Sequence, residues 1–289
     1  MNNMIYDPRD PFQEYKSAVS RMNGGPIKSG LEGIEESVRL SYEDYERGFA
    51  ENNLEYFSPH ISLASHKDAL KNLFGSQKKI ITEFRRLFYE RNSQSYCYKC
   101  PYCTLNQADT TEHILPKEKY PEYAIHLKNL IPACSACNTF KGENVLDSNH
   151  KKITINFYTD VIPKVQYLFA DFIRKDGVYI SVEYRLENVD GVIDDDKYNL
   201  IVSHYKRMHL IGKDSRLNME AISLLPELVN DYMFEKITNE NEYDIYSKKR
   251  IAKCELDAKV LGINHWKLVL YKSAAESLVF KEFILSKLH

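Results

Sequence analysis

Two Cys-x-x-Cys pairs constrain this chain more than any other feature: Cys100 with Cys103, then Cys134 with Cys137, thirty residues further on. A two-residue gap lets both sulfurs of a pair reach one ion, and two such pairs make the four-thiolate tetrahedron of a structural zinc site. The pattern predicts that residues 100–103 and 134–137 are held together, whatever lies between. The insert is longer than in the shortest zinc-ribbon template, so more than a tight turn is being clamped. Cys97 stands three residues before Cys100 and makes a second correctly spaced pair with it. Cys100-Pro101-Tyr102-Cys103 is the more knuckle-like turn, which gives Cys100, Cys103, Cys134 and Cys137 as the ligand set. Spacing alone leaves open the exchange of Cys97 for Cys100 or Cys103. A redox pair or buried free thiols is the competing reading.

The insert carries its own pattern. Glu112-His113 followed by Ile114-Leu115-Pro116 reads as a strand end entering a loop, and Asn129-Leu130-Ile131-Pro132 as a return strand. A short helix opens at Cys134 or Ser135, with Gly142 as its C-terminal cap. Asn138 and Lys141, three apart, share one face of that helix. A neutral imidazole with a pKa of about 6.5 can take a proton at cellular pH. A hard divalent ion needs only one or two oxygen ligands from protein, with water in its other positions. Lys141, or Lys117 and Lys119 in the loop, can steady a phosphate. Neighbours on a regular strand point to opposite faces, so Glu112 and His113 share a site only if the chain bends there. His126 belongs to the connecting segment and reads as a surface residue.

Outside this stretch the sequence describes an ordinary globular chain. Its 289 residues are 43% hydrophobic with a net charge of -2 and include 21 Tyr and 13 Phe. Bulk charge therefore does not drive it onto nucleic acid, and any such contact must come from a local basic patch. No apolar run reaches the ~18 residues of a membrane span, and the first residues lack a signal-peptide pattern. With four of six cysteines in metal-type pairs, these features predict a cytoplasmic protein. Leu31 to Asn52 is an acid-rich helical pattern, a solvated face. Ser76 to Asn92 is a helix with an apolar stripe and the cations Lys78, Lys79, Arg85, Arg86 and Arg91, either a phosphate track or plain surface. Tyr179 to Glu187 alternates as a strand. Asp194-Asp195-Asp196 reads as a solvated loop. Helical patterns follow over Tyr198–Leu210, Asn218–Ile237, Glu242–Val260 and Trp266–Leu288, with Cys254 as a buried, inert thiol.

Glu-His-Ile-x-Pro, then Asn-Leu, then Cys-x-x-Cys-Asn-x-x-Lys resembles an HNH endonuclease of the ββα-metal type in its zinc-binding version, over about fifty residues. The resemblance implies His113 as general base, Glu112 and Asn138 as ligands of a catalytic Mg2+ or Mn2+, Asn129 as a brace for the loop holding His113, and Lys141 beside them. It implies a structural Zn2+ on the four cysteines and nucleic acid as partner, DNA before RNA. More loosely, a mid-chain motif with a long helical tail is similar to HNH effectors of prokaryotic anti-phage systems, which work beside an ATPase partner. The expected fold is α+β and mostly helical: an N-terminal helical region (1–95), the motif (96–150) and a mainly helical C-terminal region (151–289). Two alternatives stand beside the DNA endonuclease: an RNA endonuclease acting for example on tRNA, and a non-catalytic zinc-stabilised binding module.

Overall fold

The computed structural model describes residues 1–92, 98–175, 179–235 and 237–287. The protein is mostly helical, and among the described residues there are two small antiparallel sheets of two strands each. It divides into two compact units, Asn3–Val161 and Met1–Asn2 with Ile162–His289. Among the described residues no helix is long and apolar enough to cross a membrane.

The first unit begins with α1 (Pro11–Ser20), where Asp10 accepts the Phe12 N–H at 2.9 Å and Pro11 opens the helix. The acid-rich run forms two helices, α2 (Pro26–Gly33) and α3 (Glu35–Glu51), with the break after Gly33. Gly30 and Gly33 weaken a continuous helix there. On α3, Glu36 and Glu43 pair with Arg39 in solvent, while Val38, Tyr42, Tyr45 and Phe49 are buried. Gly48 is needed on this face, since a Cβ would meet the Phe57 ring at 2.3 Å. After α4 (Lys67–Ser76), α5 (Lys78–Arg91) buries Ile80, Phe84 and Phe88, the stripe expected from sequence.

Two cations of α5 are engaged within the protein, while Lys78, Lys79 and Arg91 are exposed. The Arg85 guanidinium donates to the carbonyls of Ala108 and Thr110 and, at 2.7 Å, to the Tyr89 hydroxyl. Arg86 pairs with Glu83 and Glu90 on its own helix. Arg85 therefore ties α5 to the entry of β1 (Thr110–His113). That strand pairs with β2 (Leu130–Ala133), with Glu112 opposite Ile131 and His113 opposite Leu130. The short helix α6 (Ser135–Lys141) follows and ends at Gly142, whose φ of 60° lies in the left-handed region.

The second unit is built on a hairpin of β3 (Leu168–Lys175) and β4 (Tyr179–Leu186). Buried Asn side chains tie it to its helices. Asn218 Oδ1 accepts the Tyr184 N–H at 2.8 Å, and Asn264 Oδ1 accepts those of Tyr167 and Leu168 at 2.8 and 3.0 Å. The helices are α7 (Asp195–Arg207), α8 (Arg216–Phe234), α9 (Glu240–Leu261), α10 (Trp266–Glu276) and α11 (Leu278–Leu285). The triple-Asp run starts α7: Asp194 caps it by accepting the Lys197 N–H, and Asp195 and Asp196 lie exposed in the first turn, where the helix dipole favours acids. The last helical pattern is two helices because the Ser277 hydroxyl accepts the Phe280 N–H at 3.2 Å and starts a new one. Cys254 is buried, as expected.

Arg85→Ala removes a charged donor from two carbonyls and should cost about 2 to 3 kcal/mol. Arg86→Ala, which loses only exposed pairs, should leave the thermal midpoint unchanged. Equal melting of the two variants would contradict the structural role of Arg85.

Candidate active site and metal centre

The knuckle is shaped by its backbone. The Cys100 N–H donates to the Asn106 carbonyl at 2.8 Å and the Thr104 N–H to the Cys100 carbonyl at 2.7 Å, with Thr104 in the left-handed region at φ 57°. On the other side, Cys134 is the N-cap of α6, and its sulfur accepts the Cys137 N–H at 3.5 Å and the Asn106 amide at 3.9 Å. Asp109 secures the same helix start by accepting the Ser135 N–H at 2.8 Å. Hydrogen bonding from Cys100 holds the Cys134 thiol well below its ordinary range and sets Cys103 at about 7, while burial pushes Cys100 up.

The sulfurs of Cys100, Cys103, Cys134 and Cys137 lie within 4.8 Å of one another, and all four residues are buried. Cys103 Sγ and Cys134 Sγ are 3.9 Å apart. A tetrahedron with metal–sulfur bonds of about 2.3 Å has edges of about 3.8 Å. The donor set fits zinc, which would join the knuckle to the helix start and add its binding energy to folding. Cys97, the alternative ligand, lies outside the described residues.

Glu112, Asn138 and Lys141 meet on one side of the hairpin. Thr110 and Glu112 are two apart on β1 and share a face. Across from them, Asn138 Nδ2 donates to Thr110 Oγ1 at 3.3 Å and Lys141 Nζ to Glu112 Oε1 at 3.2 Å. Both members of the Lys141–Glu112 pair are buried, with side-chain exposures of 2% and 9%. Burial pushes the Glu112 carboxyl up, and the Lys141 ammonium pulls against it. Asn138 donates through Nδ2, which leaves Oδ1 as the oxygen that would face an ion. One carboxylate and one amide oxygen suit a hard divalent ion that keeps several waters.

His113 takes different neighbours. Its Nε2 is 2.9 Å from the Ala124 carbonyl, and its ring packs edge-on against Phe74 of α4 at 4.5 Å. A carbonyl only accepts, so Nε2 carries the proton and the bare lone pair of the neutral ring is on Nδ1. Burial lowers its pKa to about 3. The strand is regular through the His113–Leu130 pair, so the bend that would turn Glu112 and His113 to one face does not fall within β1.

Asn129 is fully buried and its amide is satisfied at both ends. Oδ1 accepts the Leu115 N–H at 2.7 Å and the Tyr45 hydroxyl at 3.2 Å, while Nδ2 donates to the carbonyls of Leu115 and Tyr123 at 3.0 Å each. It therefore closes the loop between Leu115 and Tyr123. Lys117 pairs with Glu118 at 2.8 Å, and Lys119 donates to Asn144 at 2.9 Å. His126 is not a surface residue. It is fully buried against the rings of Tyr42 and Tyr45 at 4.6 and 4.1 Å, because two 3-10 turns fold residues 121–129 onto α3. Sequence reasoning missed Thr110, although its place two residues before Glu112 puts it on the same face. It also missed Asp109 and Asn106, whose roles depend on the fold of the knuckle.

A two-stranded hairpin and a helix, with four clustered thiols at the helix start and a Glu-His pair at the strand end, define a ββα unit with a knuckle that fits zinc. The HNH endonuclease family model matches residues 100–144, so the chain carries an HNH endonuclease domain, which supports a nuclease-type function and a nucleic-acid substrate. The chain is also 25% identical to protein ea31 of Escherichia phage lambda over 223 residues, 73% of either chain. It is 39% identical to the Septu protein PtuB of Bacillus thuringiensis over 49 residues, 15% of this chain and 19% of that protein. No solved structure gives a significant match.

Elemental analysis of the purified protein should give one zinc per chain, and Cys134→Ser should lose the metal and melt earlier. Metal-free protein with unchanged melting would speak against a zinc site. The buried imidazoles of His113 and His126 are both held below the ordinary value of 6.5. The unfolded chain therefore binds protons that the folded one does not, and stability should fall as pH drops through about 6.5. His126→Phe should flatten that decline in denaturant melts; an unchanged slope would show that His126 does not contribute.

Proposed function

We propose that this protein is a metal-dependent endonuclease that hydrolyses phosphodiester bonds, in DNA before RNA. The observation that carries the reading is the tautomer of His113: with its Nε2 proton committed to the Ala124 carbonyl, Nδ1 is the atom left to accept a proton. In this reading Nδ1 takes the proton of the attacking water as its oxygen bonds to phosphorus. The phosphorus–oxygen bond to the leaving group then breaks, and that oxygen gains a proton from solvent. A ring lowered to about 3 is in its base form throughout the cellular range, and a phosphate anion beside it would raise its basicity toward what catalysis needs. Glu112 and Asn138 would hold the divalent ion, which when bound supplies positive charge to the phosphate oxygens. Lys141 compensates the buried Glu112 charge when no ion is there and can move to the phosphate when one is.

The order of the polar residues along the motif, and the likeness to PtuB over 49 residues, support the same reading. A role as effector in a prokaryotic anti-phage system, beside an ATPase partner, extends it. Support for that extension is the mid-chain motif followed by a largely helical unit.

Parallel digests of plasmid and total RNA with magnesium or manganese test the activity and separate the substrates. His113→Ala should cut slower by a factor on the order of 10² to 10⁴ while keeping zinc. Because it empties a buried site and leaves the Ala124 carbonyl without its donor, it should also melt earlier, so cutting is compared well below both midpoints. Asn138→Ala should lose activity at low magnesium and recover part of it at raised manganese. If the wild type cuts neither polymer with either metal, a zinc-stabilised binding module takes the place of the enzyme.

A further inference from the structure

The second unit holds a cationic cleft that the HNH motif does not use. Between Lys248 and Lys272 the sequence has seven Lys or Arg against two carboxylates, Glu255 and Asp257, in a chain whose net charge is only -2. Among its lining residues are Arg250, Lys253 and Asp257 of α9, Lys267 and Tyr271 of α10, and Leu261; its volume is about 170 Å³. Arg250, Lys253, Asp257 and Leu261 follow helical spacing, so they form one wall, while Lys267 and Tyr271, four apart, form the other.

Arg250 is the informative residue. One arm of its guanidinium pairs with Asp231 at 3.2 Å, and its carbon lies over the Tyr271 ring at 4.5 Å. The other arm, Nη2, is buried and has no hydrogen-bond partner among the described residues. A buried charged donor gains most from an acceptor, and Nη2 can offer its hydrogens to a group entering the cleft. Lys267 also sits over Tyr271, at 5.3 Å, and reaches Glu227 only at 4.0 Å. Lys253 is exposed at the rim. A guanidinium fork with two ammonium groups beside one cleft suits a phosphate anion. Lys248, Lys249 and Lys259 are exposed on other faces of α9; they add to the positive potential around the helix but do not line the cleft.

We propose that this cleft binds the phosphodiester backbone of a nucleic-acid strand, giving the chain an anchoring site apart from the HNH motif. That the phosphate belongs to a strand rests on the nuclease reading of the first unit; that the cleft takes phosphate does not. The test measures anisotropy of a fluorescein-labelled single-stranded DNA oligonucleotide with full-length protein at several salt concentrations, without magnesium or manganese. Joint replacement Arg250→Gln, Lys253→Gln and Lys267→Gln should weaken binding at least about tenfold and reduce the slope of log affinity against log salt by about 2. Lys197→Gln with Lys206→Gln and Lys213→Gln, an equal charge change on exposed residues elsewhere in the unit, should leave both unchanged. Because Arg250 is partly buried, Lys253→Gln with Lys267→Gln serves where the triple variant melts early, and should give a smaller loss of the same kind.

Equal binding by wild type and both cleft variants overturns the proposal, as does equal weakening by the control. A mononucleotide that raises the melting temperature of a wild type that does not bind the oligonucleotide would overturn the strand and assign the cleft to free nucleotides. The readout involves no cutting, so the two readings fail separately. A chain that cuts nothing yet loses strand affinity in the cleft variants keeps the cleft and rejects the nuclease. A chain that cuts while those variants bind like wild type does the reverse.

Discussion

The four thiols set the geometry on which the rest of the first unit depends. They bring the turn at Cys100–Cys103 to the start of α6, and in doing so fix which face of that helix meets β1. Once Cys134 caps the helix, Asn138 falls one turn and Lys141 two turns further along, opposite Thr110 and Glu112. Neither β1 nor α6 has the length to hold such a register alone: a four-residue strand and a seven-residue helix are too short to be stable in isolation. An ion held by the four sulfurs would supply a constraint that a small core cannot.

Around that clamp, buried polar groups do the positioning. The Asn129 amide meets two carbonyls, an N–H and a hydroxyl, so it closes one loop in one conformation. Asn218 and Asn264 do comparable work in the second unit, each tying an edge of the hairpin to a helical segment. Arg85 does so for the entry of β1. These groups are satisfied through backbone partners, which makes each placement specific and each loss expensive.

The sequence carried the parts of this arrangement that depend on spacing. The paired cysteines, the short helix with Gly142 at its end, the apolar stripe of α5 and the Tyr179 strand are local patterns, and local physics produces them. What it hid depends on partners far along the chain. Leu168–Lys175 escaped notice as a strand because Phe169 and Ile173 on its outer side are as apolar as Leu168, Ala170 and Phe172 inside, which blurs the alternation. The burial of His126 is decided by Tyr42 and Tyr45, more than eighty residues earlier. In the candidate site, the order of Glu112, His113, Asn129, Asn138 and Lys141 is legible. That Lys141 rests on Glu112, and that His113 leans on Ala124 and Phe74, is not, because no sequence interval encodes those contacts.

The Phe74 contact separates a motif from a machine. Phe74 lies in α4 and Tyr45 in α3, far upstream of the stretch that carries the family pattern, yet one forms a wall for the His113 ring and the other holds the amide that closes its loop. Tyr158, beyond the far end of that stretch, donates to the Leu130 carbonyl at 2.6 Å. A peptide cut to residues 100–144 would keep every letter by which the family is recognised and lose the Phe74 ring that walls the imidazole and the Tyr45 hydroxyl that holds the Asn129 amide. The smallest portable form of this site is therefore the compact unit Asn3–Val161. A graft or a truncation should be drawn at its edges.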